Sequence, residues 1–280
     1  MPLPVIDLQA MALASRREVE RKLTRYLCDT LGWALPKVPT TPAHVADFVN
    51  GAASIADRAD CSEGHAFSVH ILISFLAGVG WADDPACSTL RAAFHATGLA
   101  FDTRLDLTLQ RAIQLRQQHE QAQPLMHGIS ATLLLARSDS LTEESLWSAL
   151  LRMMTHRGLE PGSAKALYLR YEADGCRRHK LPVPPHQVLD GAQEQAYRYY
   201  AKRLPQPSDD LLNLAALPRM LLLEHILLAI TFGRFFYVNP LLGALHACAT
   251  QDPSLSERPY VLQAFLDAHT RALTGSSHGQ

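Results

Sequence analysis

Two stretches of the chain read nearly alike: HILISFLAGVGWADDP, from His70 to Pro85, and HILLAITFGRFFYVNP, from His225 to Pro240. They are offset by 155 residues at both ends. Carried forward without a gap, the same offset pairs Gly78 with Gly233, Pro85 with Pro240, Leu90 with Leu245 and Leu107 with Leu262. Each copy opens as an apolar run that fits a buried helix, and a glycine and then a proline punctuate it. Glycine at a helix C-terminus takes the left-handed conformation without a Cβ clash. Proline suits the first turn of the next helix, because the N–H it lacks would be unpaired there. The spacing therefore predicts the same unit twice. A core helix ends at Gly78 or Gly233, and a bent turn is pinned by Trp81 in one copy and by Phe235 to Tyr237 in the other. A second helix then starts from Pro85 or Pro240 and packs back on the first.

The surroundings carry helical punctuation throughout. Val19, Leu23, Tyr26 and Leu27 form an amphipathic stripe over Arg16 to Leu31, with Gly32 as its stop. Thr41 before Pro42 reads as an N-cap opening a helix toward Val49, closed by Asn50 and Gly51. Leu105 to His119 is apolar along one face, and Ser140 with Glu143 makes a capping box ahead of LWSALLRMM. No alternating apolar and polar run of strand length occurs, and no Asn-Gly or Asp-Gly pair joins two such runs. The expected fold is all-α: a helical bundle of two related lobes with a turn-rich middle segment. The N-terminal lobe would cover 1–155, a linker and basic segment 156–207, and the C-terminal lobe 208–280.

Composition bounds the function. The chain has 280 residues, 48% hydrophobic and 19% charged with a net charge of −1, which fits a folded domain rather than a disordered one. Five cysteines without a CxxC pair argue against a disulfide framework and for a reducing compartment. The N-terminus lacks the basic then apolar order of a signal peptide, and the most apolar stretch, Ala66 to Ala82, is short for a span and contains His70. The expectation is a soluble cytoplasmic protein with no membrane partner. Charge is polarised locally: Thr40 to Gln110 holds eight acids against three bases, and Ser163 to Gln206 eight bases against four acids.

Catalytic and metal signatures fail one by one. His70 matches His225, but there is no HExxH, and His65 and His70 are five residues apart and so point to different faces. Cys176, His179 and His186 lack a second cysteine at ligand spacing. No GxSxG, P-loop or GxGxxG is present, and Gly78 and Gly80 follow a helix instead of a strand. No catalytic residue, cofactor or metal is expected. The basic, tyrosine-bearing stretch Tyr197 to Arg203 fits the solvated side of an amphipathic helix, so no nucleic-acid partner is expected either.

The phrases GVGWADDP and GRFFYVNP resemble small helical proteins encoded beside effector genes in bacterial type VI secretion loci. Gly78, Trp81 and Pro85, then Gly233, Phe236 and Pro240, match the glycine, aromatic and proline of that outline, and ATQDPSLSERPYVLQAFLDA is similar to the segment after the turn in such proteins. The resemblance covers about 40 residues in each half. It implies a toxin immunity protein, a non-enzymatic binder that neutralises a cognate effector toxin, with a nuclease as one candidate. Such a binder needs a rigid scaffold and a charged surface that speeds encounter with a basic partner. Asp57, Asp60, Glu63, Asp83 and Asp84 are the carboxylates expected to form it. An effector-loading adaptor or chaperone, and a helical enzyme with an unrecognised site, are the rival expectations.

Overall fold

The structure, a computed structural model, describes residues 8–30, 40–120, 123–137, 140–182, 184, 211–243, 245 and 257–274. It is all-α, with no strand among the described residues. Those residues form ten α-helices, in order α1 (Leu8–Thr30), α2 (Pro42–Arg58), α3 (Gly64–Ala77), α4 (Ser88–Phe94), α5 (Phe101–Glu120), α6 (Gln123–Arg137), α7 (Glu143–His156), α8 (Ala164–His179), α9 (Ala216–Phe232) and α10 (Arg258–Thr274).

Local chemistry explains where the helices begin. The Thr41 hydroxyl accepts the His44 N–H, while His44 Nδ1 takes the Thr41 N–H, and Pro42 fills the first turn of α2. The helix then runs through Asn50 and Gly51 instead of stopping there. Ala52, Ala53 and Ala56 are buried, and that packing offsets the roughly 1 kcal/mol that an internal glycine costs. The box ahead of α7 uses Thr142 and Ser145 rather than Ser140 and Glu143, which leaves Glu143 and Glu144 in the first turn, where carboxylates suit the positive helix end.

The helices bury two cores. One gathers α1 to α5 around Phe48, Ile71, Ile73, Trp81 and Leu105, and the other gathers α6 to α10 around Tyr168, Tyr171 and the fully sheltered run Leu222 to Thr231 of α9. A helix apolar on every side belongs in the middle of a bundle, and α3 and α9 both sit there. This partition differs from the sequence expectation. α6 and α7 belong to the second core although they precede residue 155, and α8 packs on α9 inside the stretch expected to be linker. Six charged residues along α8 obscure its apolar stripe in the sequence. Pro36, Pro39, His186 and Tyr197 to Arg203 lie outside the described residues.

The repeated phrase folds as the same unit in both copies. α3 ends at Gly78, φ 107° and ψ 154°, and α9 at Gly233, φ 92° and ψ 159°. Neither is the left-handed helical cap. With ψ extended, this is backbone only glycine visits freely. In both copies the glycine N–H closes on the carbonyl four residues back at 3.0 Å (Ser74, Ala229), and two short 3-10 turns come next (Trp81–Asp83 then Pro85–Cys87; Phe236–Val238 then Pro240–Leu242). Asp84 and Asn239, equivalent at the same offset, each cap the second turn by accepting the N–H two residues on, at 2.9 and 3.1 Å.

The two units meet face to face. A Cβ on Gly78 would sit 3.5 Å from the Phe232 carbonyl oxygen, and one on Gly233 would sit 3.6 Å from that of Ala77. Equivalent residues are exchanged across this pseudo-twofold junction: Ala86 enters the second core and its counterpart Leu241 enters the first.

Candidate functional site

Two features of the molecule concentrate polar side chains, and they differ in kind. The first is the junction. Asp84, only 2% exposed, accepts from the Tyr171 hydroxyl at 2.7 Å, from Ala86 N–H at 2.9 Å and, through its other oxygen, from Arg234 N–H at 2.8 Å. The Arg234 guanidinium donates through Nε to Asp174 at 2.5 Å, through Nη2 to the same carboxylate at 3.1 Å, and through Nη1 to the Asp83 carbonyl at 2.8 Å. One arginine thus clamps α8 and the turn of the first copy to the turn of the second. Its hydrogen bonds to Asp174 raise its pKa above the ordinary value against the opposing effect of burial. Burial, then the Asp84 charge, holds the Tyr171 phenol well above its ordinary value, so it donates throughout the accessible pH range.

Around this junction other buried groups complete helix ends. Arg157 Nη1 donates to the last carbonyls of α9, Ile230 at 2.9 Å and Thr231, where a cation suits the negative helix end. Arg258 of α10 pairs with Glu224 of α9 at 2.6 and 3.0 Å, both residues buried. The matched histidines are core residues, each against the aromatic of its own turn: His70 lies 5.6 Å from Trp81 and His225 5.2 Å from Phe236, centroid to centroid. Desolvation lowers His70 to about 4, and desolvation followed by the Arg178 charge lowers His225 to about 3. Both are neutral imidazoles with a ring nitrogen lacking a hydrogen bond. No group of three His, Cys, Asp or Glu among the described residues could hold a metal ion.

The second feature is an acidic edge where α2, α3 and α5 come together. Asp60, in left-handed backbone at φ 57°, and Glu63, the N-cap residue of α3 with no side-chain cap bond, are exposed on the α2–α3 connection. His65 on α3 meets Asp106 of α5 at 3.3 Å, which joins the exposed acids of α5, Asp102 and Asp106, to the same edge. Arg104, next to them in sequence, turns inward. It donates to the Phe94 carbonyl at 3.2 Å and lies over the Phe101 ring at 5.3 Å. Arg58 is an exposed cation on this edge.

The five carboxylates named from sequence therefore divide. Asp60 and Glu63 share the exposed edge. Asp57 is half-buried and held by Arg16 at 2.7 Å, a pairing that raises the arginine's pKa, chiefly through Asp57 and then Glu20. Asp83 is exposed on the junction turn, with its carbonyl taken by Arg234. Asp84 is removed from the docking set: it is sealed in the junction with every contact internal, because proline after it makes its side chain the cap of a turn. Sequence reasoning missed Tyr171, Asp174 and Arg234. The usable signal for Arg234 was its departure from the repeat, since Val79 occupies its place in the first copy. Gly78, Trp81, Pro85, Gly233, Phe236 and Pro240 all stand in the two turns, with Trp81 and Phe236 buried.

Of the basic middle segment, Arg177 is exposed and pairs with Asp174 at 3.1 Å, whereas Arg178 is half-buried over the rings of Phe236 and Tyr237. Lys180 closes α8 in left-handed backbone. No helix among the described residues is long and apolar enough to cross a membrane. No family model, curated protein or solved structure matches the chain.

Proposed function

We propose that this chain is a binding protein that neutralises a secreted toxin by occupying a basic surface of it, as the resemblance to type VI effector-associated proteins implies. The observation that carries the proposal is the acidic edge of Asp60, Glu63, Asp102 and Asp106, exposed on a part of the molecule whose underlying helices are tightly packed. The buried charges of the junction are satisfied internally and fix the scaffold. The carboxylates of the edge are exposed, and of them Asp106 meets His65 at the surface. Exposed carboxylates act mainly on encounter rate, steering a positively charged partner and losing effect as salt rises. A toxin that grips an anionic substrate has such a positive surface, so a nuclease effector is the partner class that fits.

Two measurements test this. Co-expression with a nuclease toxin that the chain binds should rescue growth; a chain that only loads the toxin leaves the cells dying. Reversing Asp60, Glu63 and Asp106 together to lysine should slow association with that toxin about tenfold or more at low salt and flatten its salt dependence. Reversing Arg177 and Lys180 should leave association unchanged. If the basic pair is the sensitive one, the chain binds an anionic partner and the acidic-edge inhibitor is wrong.

A further inference from the structure

The outer face of the α6–α7 hairpin has a pattern that the packing of the monomer does not use. The two helices border an open groove of about 760 Å³, floored in part by Gly128, Ala131 and Ala149. Leu135 of α6 lines it and is 37% exposed, as are Leu134 of α6 and Leu151 of α7. Along α7 the exposed residues are Glu144, Ser148, Leu151, Arg152, Thr155 and His156, the first five on one side of the helix at three- and four-residue spacing. Acid stands at the start of this face, base at its end, and a small side chain midway.

We propose that a second copy of this chain docks here, forming a twofold-symmetric dimer in which α7 packs antiparallel on the partner's α7 about Ser148. A twofold contact must be self-complementary, residue i meeting j while j meets i. Antiparallel pairing centred on Ser148 satisfies this in two ways. It sets Glu144 against the partner's Arg152, and Arg152 against the partner's Glu144. It brings the two Ser148 side chains together on the axis, where small residues let the helices approach closely. Arg152 is already drawn toward the midpoint, since its Nε donates to the Ser148 carbonyl at 3.3 Å. The opposed helix dipoles favour the same orientation. A 14-residue helix is about 21 Å long, which gives a face at the small end of specific interfaces and a dimer in the micromolar range. The dimer face belongs to the second core and the acidic edge to the first, so this inference is independent of the toxin.

Sedimentation equilibrium of the full chain across the micromolar range tests it. The expected species grows with concentration toward twice the 30.9 kDa chain mass. Glu144→Arg and Arg152→Glu should each raise the dissociation constant about tenfold or more, because each places two like-charged pairs across the axis. The combined Glu144→Arg/Arg152→Glu chain should return to near the native value, with helical circular dichroism unchanged in all three. A native chain that stays monomeric overturns the proposal. So do single variants that dimerise normally, and a combined variant no better than the singles.

Discussion

Arg234→Met removes the guanidinium that joins the two copies while keeping an unbranched apolar side chain of similar reach. Arg234 is 9% exposed and its three bonds go to a carboxylate on α8 and a carbonyl of the first turn. Breaking a buried ion pair by removing one partner costs about 3–5 kcal/mol, because the other charge stays buried. Here Asp174 keeps one contact, Arg177 at 3.1 Å, whose side chain is 63% exposed and holds the carboxylate only loosely. The Asp83 carbonyl lies near an exposed residue and can recover water. Both effects put the loss at the lower end, about 3 kcal/mol. Met replaces part of the packing over Phe235, whose ring the guanidinium covers at 4.7 Å, so that contact is not all lost. The assay is urea unfolding followed by circular dichroism, comparing midpoint and slope with the native chain. Arg234→Met with Asp174→Leu, which removes both charges, should be less destabilised than Arg234→Met alone. A loss under about 1 kcal/mol, or a double variant worse than the single, would refute the clamp and assign the stability of the junction to apolar packing.

Gly80→Ala should cost about 3 kcal/mol, since an added Cβ would fall 2.5 Å from the Phe235 ring and the backbone stands at φ 68°; adding Phe235→Ala should relieve the clash but keep the backbone cost of about 1–2 kcal/mol, read from thermal midpoints. Acid should destabilise the chain through its buried histidines. His70 and His225 are depressed in the folded state to about 4 and about 3, so the unfolded chain takes up protons first. Their stabilising contribution is full above pH 6.5 and falls as pH drops toward the folded values, by about 2 kcal/mol per histidine at pH 5. His70→Leu should flatten that slope in a urea-midpoint series from pH 7 to 5, and an unchanged slope would mean the imidazole is solvated.

Much of the fold was legible because its determinants are local. Gly78 and Gly233 announce helix ends by the conformation they alone accept, and Thr41 with Pro42 announces a helix start. The boundary between cores was not legible, because which helices share a core depends on contacts remote in sequence. α6 and α7 have the same local signals whichever lobe they join. The acidic edge was half legible: Asp60 and Glu63 stand out beside one another, but Asp106 enters only because α5 packs on α3 and brings it to His65. Asp84 misled for a physical reason. A carboxylate before proline looks solvated in sequence, and only the tertiary partners Tyr171 and Arg234 make its burial tolerable.

The repeat is most instructive where its copies disagree. Away from the junction the equivalents are conservative: His70 and His225, Ile71 and Ile226, Trp81 and Phe236. Where the copies touch they are opposites. Gly80 corresponds to Phe235, and the ring of Phe235 lies against Gly80 itself. Two phenylalanines could not occupy that space, and two glycines would leave it empty. Val79 corresponds to Arg234, and Asn239 to Asp84; Asp84 accepts the backbone N–H of Arg234, whose guanidinium donates to the Asp83 carbonyl beside it. The Arg234 guanidinium finds its carboxylate on α8, at Asp174, and a second arginine at position 79 would have to share it. The divergence at 79/234, 80/235 and 84/239 therefore makes each copy fit the other better than itself. The Phe235 ring against Gly80 is the clearest case: the space is filled only when the two positions differ.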